Sequence, residues 1–134
     1  MLRSTAGSVP SINAEQVLFV LRNANLAIAT DQTFTKLFGG TNYAVTNIMA
    51  VWKSGTFGIA CAGGIYTGAA KTGDAVLAAV QVFSGLTGAQ TMQVATLTNI
   101  LVTKTESATP ILSLTTGNTG ALTADIFIIG VVVD

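Results

Sequence analysis

The segment ADIFIIGVVVD, residues 124–134, is dense in β-branched and aromatic residues. Such side chains fit a pleated, half-buried surface and lose rotamer freedom in a helix, so the segment reads as a strand. The same texture recurs upstream in YAVTNIMAVW, MQVATLTNILVTKT and ILSLTT. QVLFVL, residues 16–21, is a short apolar run that suits a strand buried on both faces, although Asn13 followed by Gln16 imitates a helix capping box. NLAIAT and FGIACA add two more short segments bounded by Gly, Asn, Asp or Ser. Close spacing with glycine-rich punctuation argues for a sandwich or barrel. AVLAAVQVF, residues 75–83, fits two states equally. It is either a helix with Asp74 as N-cap and Gly85 past its end, or a strand with Val76, Val80 and Val82 on one face.

The expected architecture is one all-β domain of about eight antiparallel strands over residues 15–134. At 134 residues the chain can bury a core without disulfides or a structural metal. Residues 1–14 are poor in apolar side chains and contain Pro10, which reads as an extended N-terminal arm. No repeat period, heptad pattern or charged linker divides the chain.

Composition narrows the function classes. Half the residues are apolar and 9% are charged, against about 25% in ordinary soluble domains. The 20 threonines, together with burial against neighbouring subunits, must therefore cover the outside, which points to an assembly. Six basic and six acidic residues are scattered singly, so no cluster exists to neutralise a run of phosphates, and nucleic-acid binding is not expected. The N-terminal sixteen residues lack the apolar stretch of a secretory signal. The apolar run at 124–133 is interrupted by Asp125 and Gly130 and falls short of the roughly 18 residues a membrane span needs. Cys61, the single cysteine, lies among small apolar residues and reads as a buried thiol.

The chain contains no histidine, which removes the usual base near neutral pH together with Ser-His-Asp, Cys-His and His-based metal sites. Glu15, Asp31, Asp74, Glu106, Asp125 and Asp134 are the only carboxylates, and each falls at or near an expected turn, strand end or chain end, where solvation or capping is their ordinary role. No calcium loop is present. GGIYTGAAKTGD, residues 63–74, has the Gly-to-Gly gap of a phosphate loop, but Ala69 and Ala70 separate the second glycine from Lys71 and Thr72. The expectation is that Gly63 and Gly64 break a strand, Ile65 and Tyr66 pack, and Lys71 and Asp74 stand solvated on an exposed turn, available for a subunit or capsid contact. Neither a cofactor nor a metal is expected. Among the aromatics, Phe19, Phe34, Phe57, Phe83 and Phe127 fit a core, whereas Tyr43, Trp52 and Tyr66 could line a sugar platform.

The order GGIYTGAAKTGDAV, a threonine-rich strand, PILSLTT, a small-residue turn and ADIFIIGVVVD resembles small jelly-roll proteins of tailed-phage virions, including head decoration (cement) proteins and related head-fibre domains. The resemblance covers roughly residues 56–134, with 110–116 as the penultimate strand and 124–134 as the last. Gly130 stands where such proteins often carry an aromatic-glycine step, and here Ile128 and Ile129 precede it. The resemblance implies a jelly-roll β-sandwich that assembles, often as a homotrimer, on the capsid exterior after synthesis in the host cytoplasm. Its arm would reach the major capsid protein through Leu2, Arg3, Val9, Pro10 and Ile12. A non-enzymatic structural role follows, and the alternative is a head-fibre or tail-fibre module that recognises surface glycans.

Overall fold

The computed structural model describes residues 14–56, 58, 61–89, 91–94, 103–104 and 109–133. The arm residues Leu2, Arg3, Val9, Pro10 and Ile12, like Glu106, Asp134 and, within FGIACA, Phe57, Ile59 and Ala60, lie outside these. Among the described residues ten strands follow in chain order: β1 (Gln16–Asn25), β2 (Gln32–Thr33), β3 (Thr35–Lys36), β4 (Tyr43–Gly55), β5 (Ala62–Tyr66), β6 (Ala75–Val82), β7 (Met92–Val94), β8 (Thr103–Lys104), β9 (Ile111–Thr116) and β10 (Leu122–Val132). A single 3-10 turn at Ala69–Lys71 stands between β5 and β6.

The protein is all-β, a sandwich of two antiparallel sheets. The first has the order β3-β1-β10-β4-β7, with β8 paired to the far end of β4, and the second has the order β2-β9-β5-β6. The pairings are nested: β1 with β10, β2 with β9, β4 with β7, and β5 with β6. The first and last strands are thus neighbours in the middle of one sheet.

Alternation along β10 divides its residues between core and exterior. Leu122, Ala124, Ile126, Ile128, Gly130 and Val132 face inward and are buried, while Phe127, Ile129 and Val131 on the other face are half-exposed. Facing them across the core are Ile65, Leu77, Leu112 and Leu114 of the second sheet. Each fully buried Leu or Ile contributes about 1.5–3 kcal/mol relative to exposure. Register shifts on both flanks of β10 adjust this pattern. One between Val17 and Phe19 lets both Leu18 and Phe19 point into the core, and others fall at Arg22–Asn23, Thr46 and Lys53.

Three local expectations need correction. Residues 75–82 form a strand, which resolves the helix-or-strand ambiguity, but Val76 and Val82 do not share a face. Val76 is the extra residue of a register shift and is buried beside Leu77, whereas Val82 is 37% exposed. NLAIAT is not a strand beyond Asn25. The Asn25 side chain accepts the Ala27 amide (3.0 Å), offering the backbone a local partner in place of a ladder. Leu26 is then buried, with its amide on the Leu122 carbonyl and its own carbonyl on the Asn118 amide. The Asn118 side chain in turn ties together Thr56, Gly58 and Gly120. Finally, Gly63 and Gly64 do not break a strand; both lie inside β5.

At Gly130 β10 lies too close to β4 for a side chain, since a Cβ there would stand 2.0 Å from the Ala44 carbonyl oxygen. Gly130→Ala is expected to destabilise the fold by about 3 kcal/mol or more because the obstacle is backbone of the central ladder. Gly39 has nothing within 4 Å of the same position, so Gly39→Ala should stay within about 0.5 kcal/mol of wild type. Urea unfolding of the two variants measures the contrast.

Candidate functional site

The outer face of the second sheet is covered by the chain's own hairpin. A Cβ on Gly63 would meet the Leu114 Cα at 2.5 Å, and one on Gly64 would meet the Leu77 carbonyl oxygen at 2.5 Å and the Tyr66 ring at 2.9 Å. The missing side chains therefore let β9 and Tyr66 close over β5. Beyond Tyr66 the turn is closed by Thr67 and Asp74: the Thr67 amide donates to the Asp74 carbonyl (3.1 Å) and the Asp74 amide to the Thr67 hydroxyl (2.8 Å). Inside it, Ala70 (φ 53°) and Lys71 (φ 64°) are both left-handed, which costs about 1–2 kcal/mol for each residue.

Two tethers hold this strained turn against the sheet. Asp31 accepts the Ala70 amide at 2.7 Å. The Lys71 ammonium donates to the Ser113 hydroxyl and the Leu114 carbonyl, both at 3.2 Å. The Ala70 amide, the Ser113 hydroxyl and the Lys71 charge hold the Asp31 carboxyl below the usual carboxylate range against the opposing effect of desolvation. Lys71 is therefore exposed along its length, but its ammonium is anchored rather than solvated. Asp74 is exposed and supplies its backbone to the turn.

This geometry also disposes of two chemical readings. A phosphate loop needs amides and an ammonium converging on an open site, and here the Ala70 amide and Lys71 already serve Asp31 and β9. Lys71 beside Ser113 has the composition of a Ser-Lys pair, but Ser113 is 1% exposed and the ammonium also bonds a backbone carbonyl. Among the described residues no group of three or more Cys, Asp or Glu side chains could hold a metal ion. The Cys61 thiol is buried, and burial pushes its pKa up, opposite to the shift that makes a reactive thiolate.

The outer face of the first sheet is different in kind. Val17, Met49, Val51, Phe127, Ile129 and Val131 form a half-exposed apolar surface across β1, β10 and β4. At one end Asp125, only 6% exposed, accepts from the Arg22 guanidinium (3.1 Å) and the Asn23 amide (2.9 Å) and pairs with Lys53 (3.6 Å). Asn23 reaches it from a left-handed conformation (φ 53°) in the β1 bulge. Burial pushes the Asp125 carboxyl up, but the Asn23 amide, Arg22 and Lys53 outweigh it, and the group titrates below the usual range. The Arg22 guanidinium also stacks 5.3 Å above the Phe127 ring. At the other end the Thr46 hydroxyl bonds the Glu15 carboxylate and approaches the Ile129 carbonyl (3.4 Å).

Sequence reasoning placed Asp125 at a strand end and Phe127 in the core, and both placements are corrected by this face. The signal that could have found it is the apolar character of both alternating sets in ADIFIIGVVV, where a half-solvated strand should alternate with polar residues. The aromatics are corrected too. Tyr43 (1% exposed) and Tyr66 (7%) are buried, which leaves Trp52 as the half-buried member of the expected sugar platform, its indole N–H on the Gly55 carbonyl (3.2 Å). Tyr43 packs edge-on with Phe19 and Phe38, centroids 5.2–5.5 Å apart, and the Lys36 ammonium stands 4.5 Å above the Phe38 ring. Phe19, Phe34 and Phe83 are in the core as expected.

No family model matches the sequence, and neither the curated proteins nor the solved structures give a match. What the chain does must therefore be argued from its own surfaces.

The Asp125 cluster has a defined pH signature. A carboxyl depressed in the folded state contributes stability that is present above its unfolded value of about 3.9 and is lost as pH falls through the lower folded value. Asp125→Asn is expected to cost about 1–2 kcal/mol at neutral pH, the lower part of the range for charged hydrogen bonds because Arg22 and Lys53 are solvated. The difference from wild type should shrink steadily below pH ~4. Chemical denaturation across that window checks both the size and the sign.

Proposed function

We propose that the protein is a jelly-roll structural subunit of a virion, a decoration or cement protein that binds the outside of a tailed-phage capsid. The observation that carries this reading is the nested strand pairing, β1 with β10, β2 with β9, β4 with β7 and β5 with β6, divided between two facing sheets. Such nesting supports a jelly roll, the double Greek key that recurs in viral capsid and lectin domains. Low charge and a half-exposed apolar sheet face support a subunit whose surface is completed by neighbours.

The mechanism needs no catalysis and no cofactor. A homo-oligomer that bridges joints in the major capsid protein binds the expanded shell better than any other state, and stabilises it by the linkage between binding and conformation. Lys71 and Asp74, on the exposed hairpin, belong to this reading as candidate contacts, as do the arm residues Leu2, Arg3, Val9, Pro10 and Ile12. The glycan-binding alternative is weakened, since two of its three platform rings are buried.

Purified protein mixed with undecorated capsids is expected to co-sediment with them at micromolar concentration. Deleting residues 2–12 should abolish that binding while leaving the far-ultraviolet circular dichroism spectrum unchanged. Absence of co-sedimentation would overturn the reading, and unchanged binding by the truncated chain would overturn the role given to the arm.

A further inference from the structure

We propose that two copies of the chain pair through the outer face of the first sheet, about a two-fold axis passing close to Phe127, with the strands of the two copies antiparallel. Among the described residues, the charges on this face are Arg22, Lys53 and Asp125 towards one end of β10 and Glu15 towards the other, with the Arg22 guanidinium reaching inward over the Phe127 ring. Arg22 and Lys53 converge on Asp125 and leave a net positive charge at one end of β10. Glu15, held by Thr46 over Ile129, puts a negative charge at the other.

Asp125 and Ile129 are four residues apart on β10, about 13 Å along the strand, and Phe127 is midway between them. A two-fold axis in the plane of the interface and perpendicular to the strands superposes the positive end of one copy on the negative end of the other, twice, and brings Phe127, with the Arg22 guanidinium over its ring, opposite its own counterpart. Rotation about an axis parallel to the strands would instead place positive on positive and negative on negative, an arrangement that like-charge repulsion disfavours. The charges are thus self-complementary in one orientation, which is the requirement for a closed, isologous dimer.

The extent of the face is consistent with this occupant. β1, β10 and β4, ten, eleven and thirteen residues long at about 3.3 Å each and spaced about 4.8 Å apart, present roughly 540 Å², below the ~800 Å² per partner of a standard specific interface and in the range of a weak, reversible one. A centre of apolar and aromatic side chains with an arginine beside them is also usual in such an interface. The resemblance described above implies a three-fold assembly, whereas the charge pattern on this face closes about a two-fold axis. Because the pairing is tested in solution without capsids, its failure and that of the shell-binding reading are separate results.

Sedimentation velocity of the full chain from low micromolar to millimolar concentration is expected to show a reversible dimer of the 13.6 kDa chain. Phe127→Glu should weaken it by more than about a hundredfold, because the substitution enters the centre of the interface from both copies. Glu15→Lys and Lys53→Glu should each weaken it by at least about tenfold by opposing like charges. Mixing Glu15→Lys with Lys53→Glu should restore a heterodimer, since both ends then carry opposite charges. Circular dichroism and the urea midpoint establish that each variant is folded. The proposal is overturned by a monomer at every concentration, by self-association indifferent to Phe127→Glu, or by a mixture no tighter than its components. It is equally overturned if deleting residues 1–13 converts a monomer to a dimer, which would assign the face to the chain's own N-terminal segment.

Discussion

From Leu122 to Val132, β10 pairs residue by residue with β4 on one side, and over most of the same length with β1 on the other. The first sheet depends on this doubly bonded strand. Its alternation decides which side chains enter the core, and a slip of one residue would carry Ile126 and Ile128 to the exterior and Asp125 inward. The bulges on its neighbours are the means by which the pairing is reconciled with packing. One directs Leu18 and Phe19 together into the core, and the one at Arg22–Asn23 aims an amide at Asp125. Gly130 is the point at which the same ladder is drawn too close to admit a side chain.

The two sheets treat their outer faces differently. On the second, the chain returns on itself: Tyr66 lies over Gly64, and the turn after it is tied to β9 through Lys71 and to the segment before β2 through Asp31. On the first, the apolar positions of β10, β4 and β1 remain half-exposed, and the charges stand towards the ends. Placement makes the low charge content meaningful. A chain with 9% charged residues concentrates three of them on one carboxylate cluster, Arg22, Lys53 and Asp125, from which the Arg22 guanidinium reaches over Phe127.

What the sequence made legible was texture. ILSLTT is β9 as read, and QVLFVL and ADIFIIGVV lie within β1 and β10, because β-branched density is a local property. Where a partner distant in the chain decides the outcome, local reading failed. NLAIAT has strand-like spacing but is bent by Asn25, and its Leu26, the one buried residue of the segment, is bonded by Asn118, which comes more than ninety positions later. AVLAAVQVF was ambiguous because its alanines fit either state, and pairing with β5 settles it. Asp125 could not be recognised as a clustered, buried carboxylate, since Arg22 precedes it by 103 positions. The glycine pair was correctly seen as a matter of backbone shape, but its shape serves close approach within a strand rather than the end of one.

Nested pairing also imposes an order of events. Because β1 finds its central neighbour only in β10, about a hundred positions further along the chain, the first sheet cannot close before β10 has left the ribosome. The β5-β6 hairpin, whose partners are close in sequence, can form early and carry its own covering turn with it. Such a topology folds slowly and spends its unfinished interval with β1 and β4 unpaired on the side reserved for β10. The strand that organises the finished molecule is the last of the ten to be made, so the apolar edges of β1 and β4 are the chain's point of exposure to aggregation during synthesis.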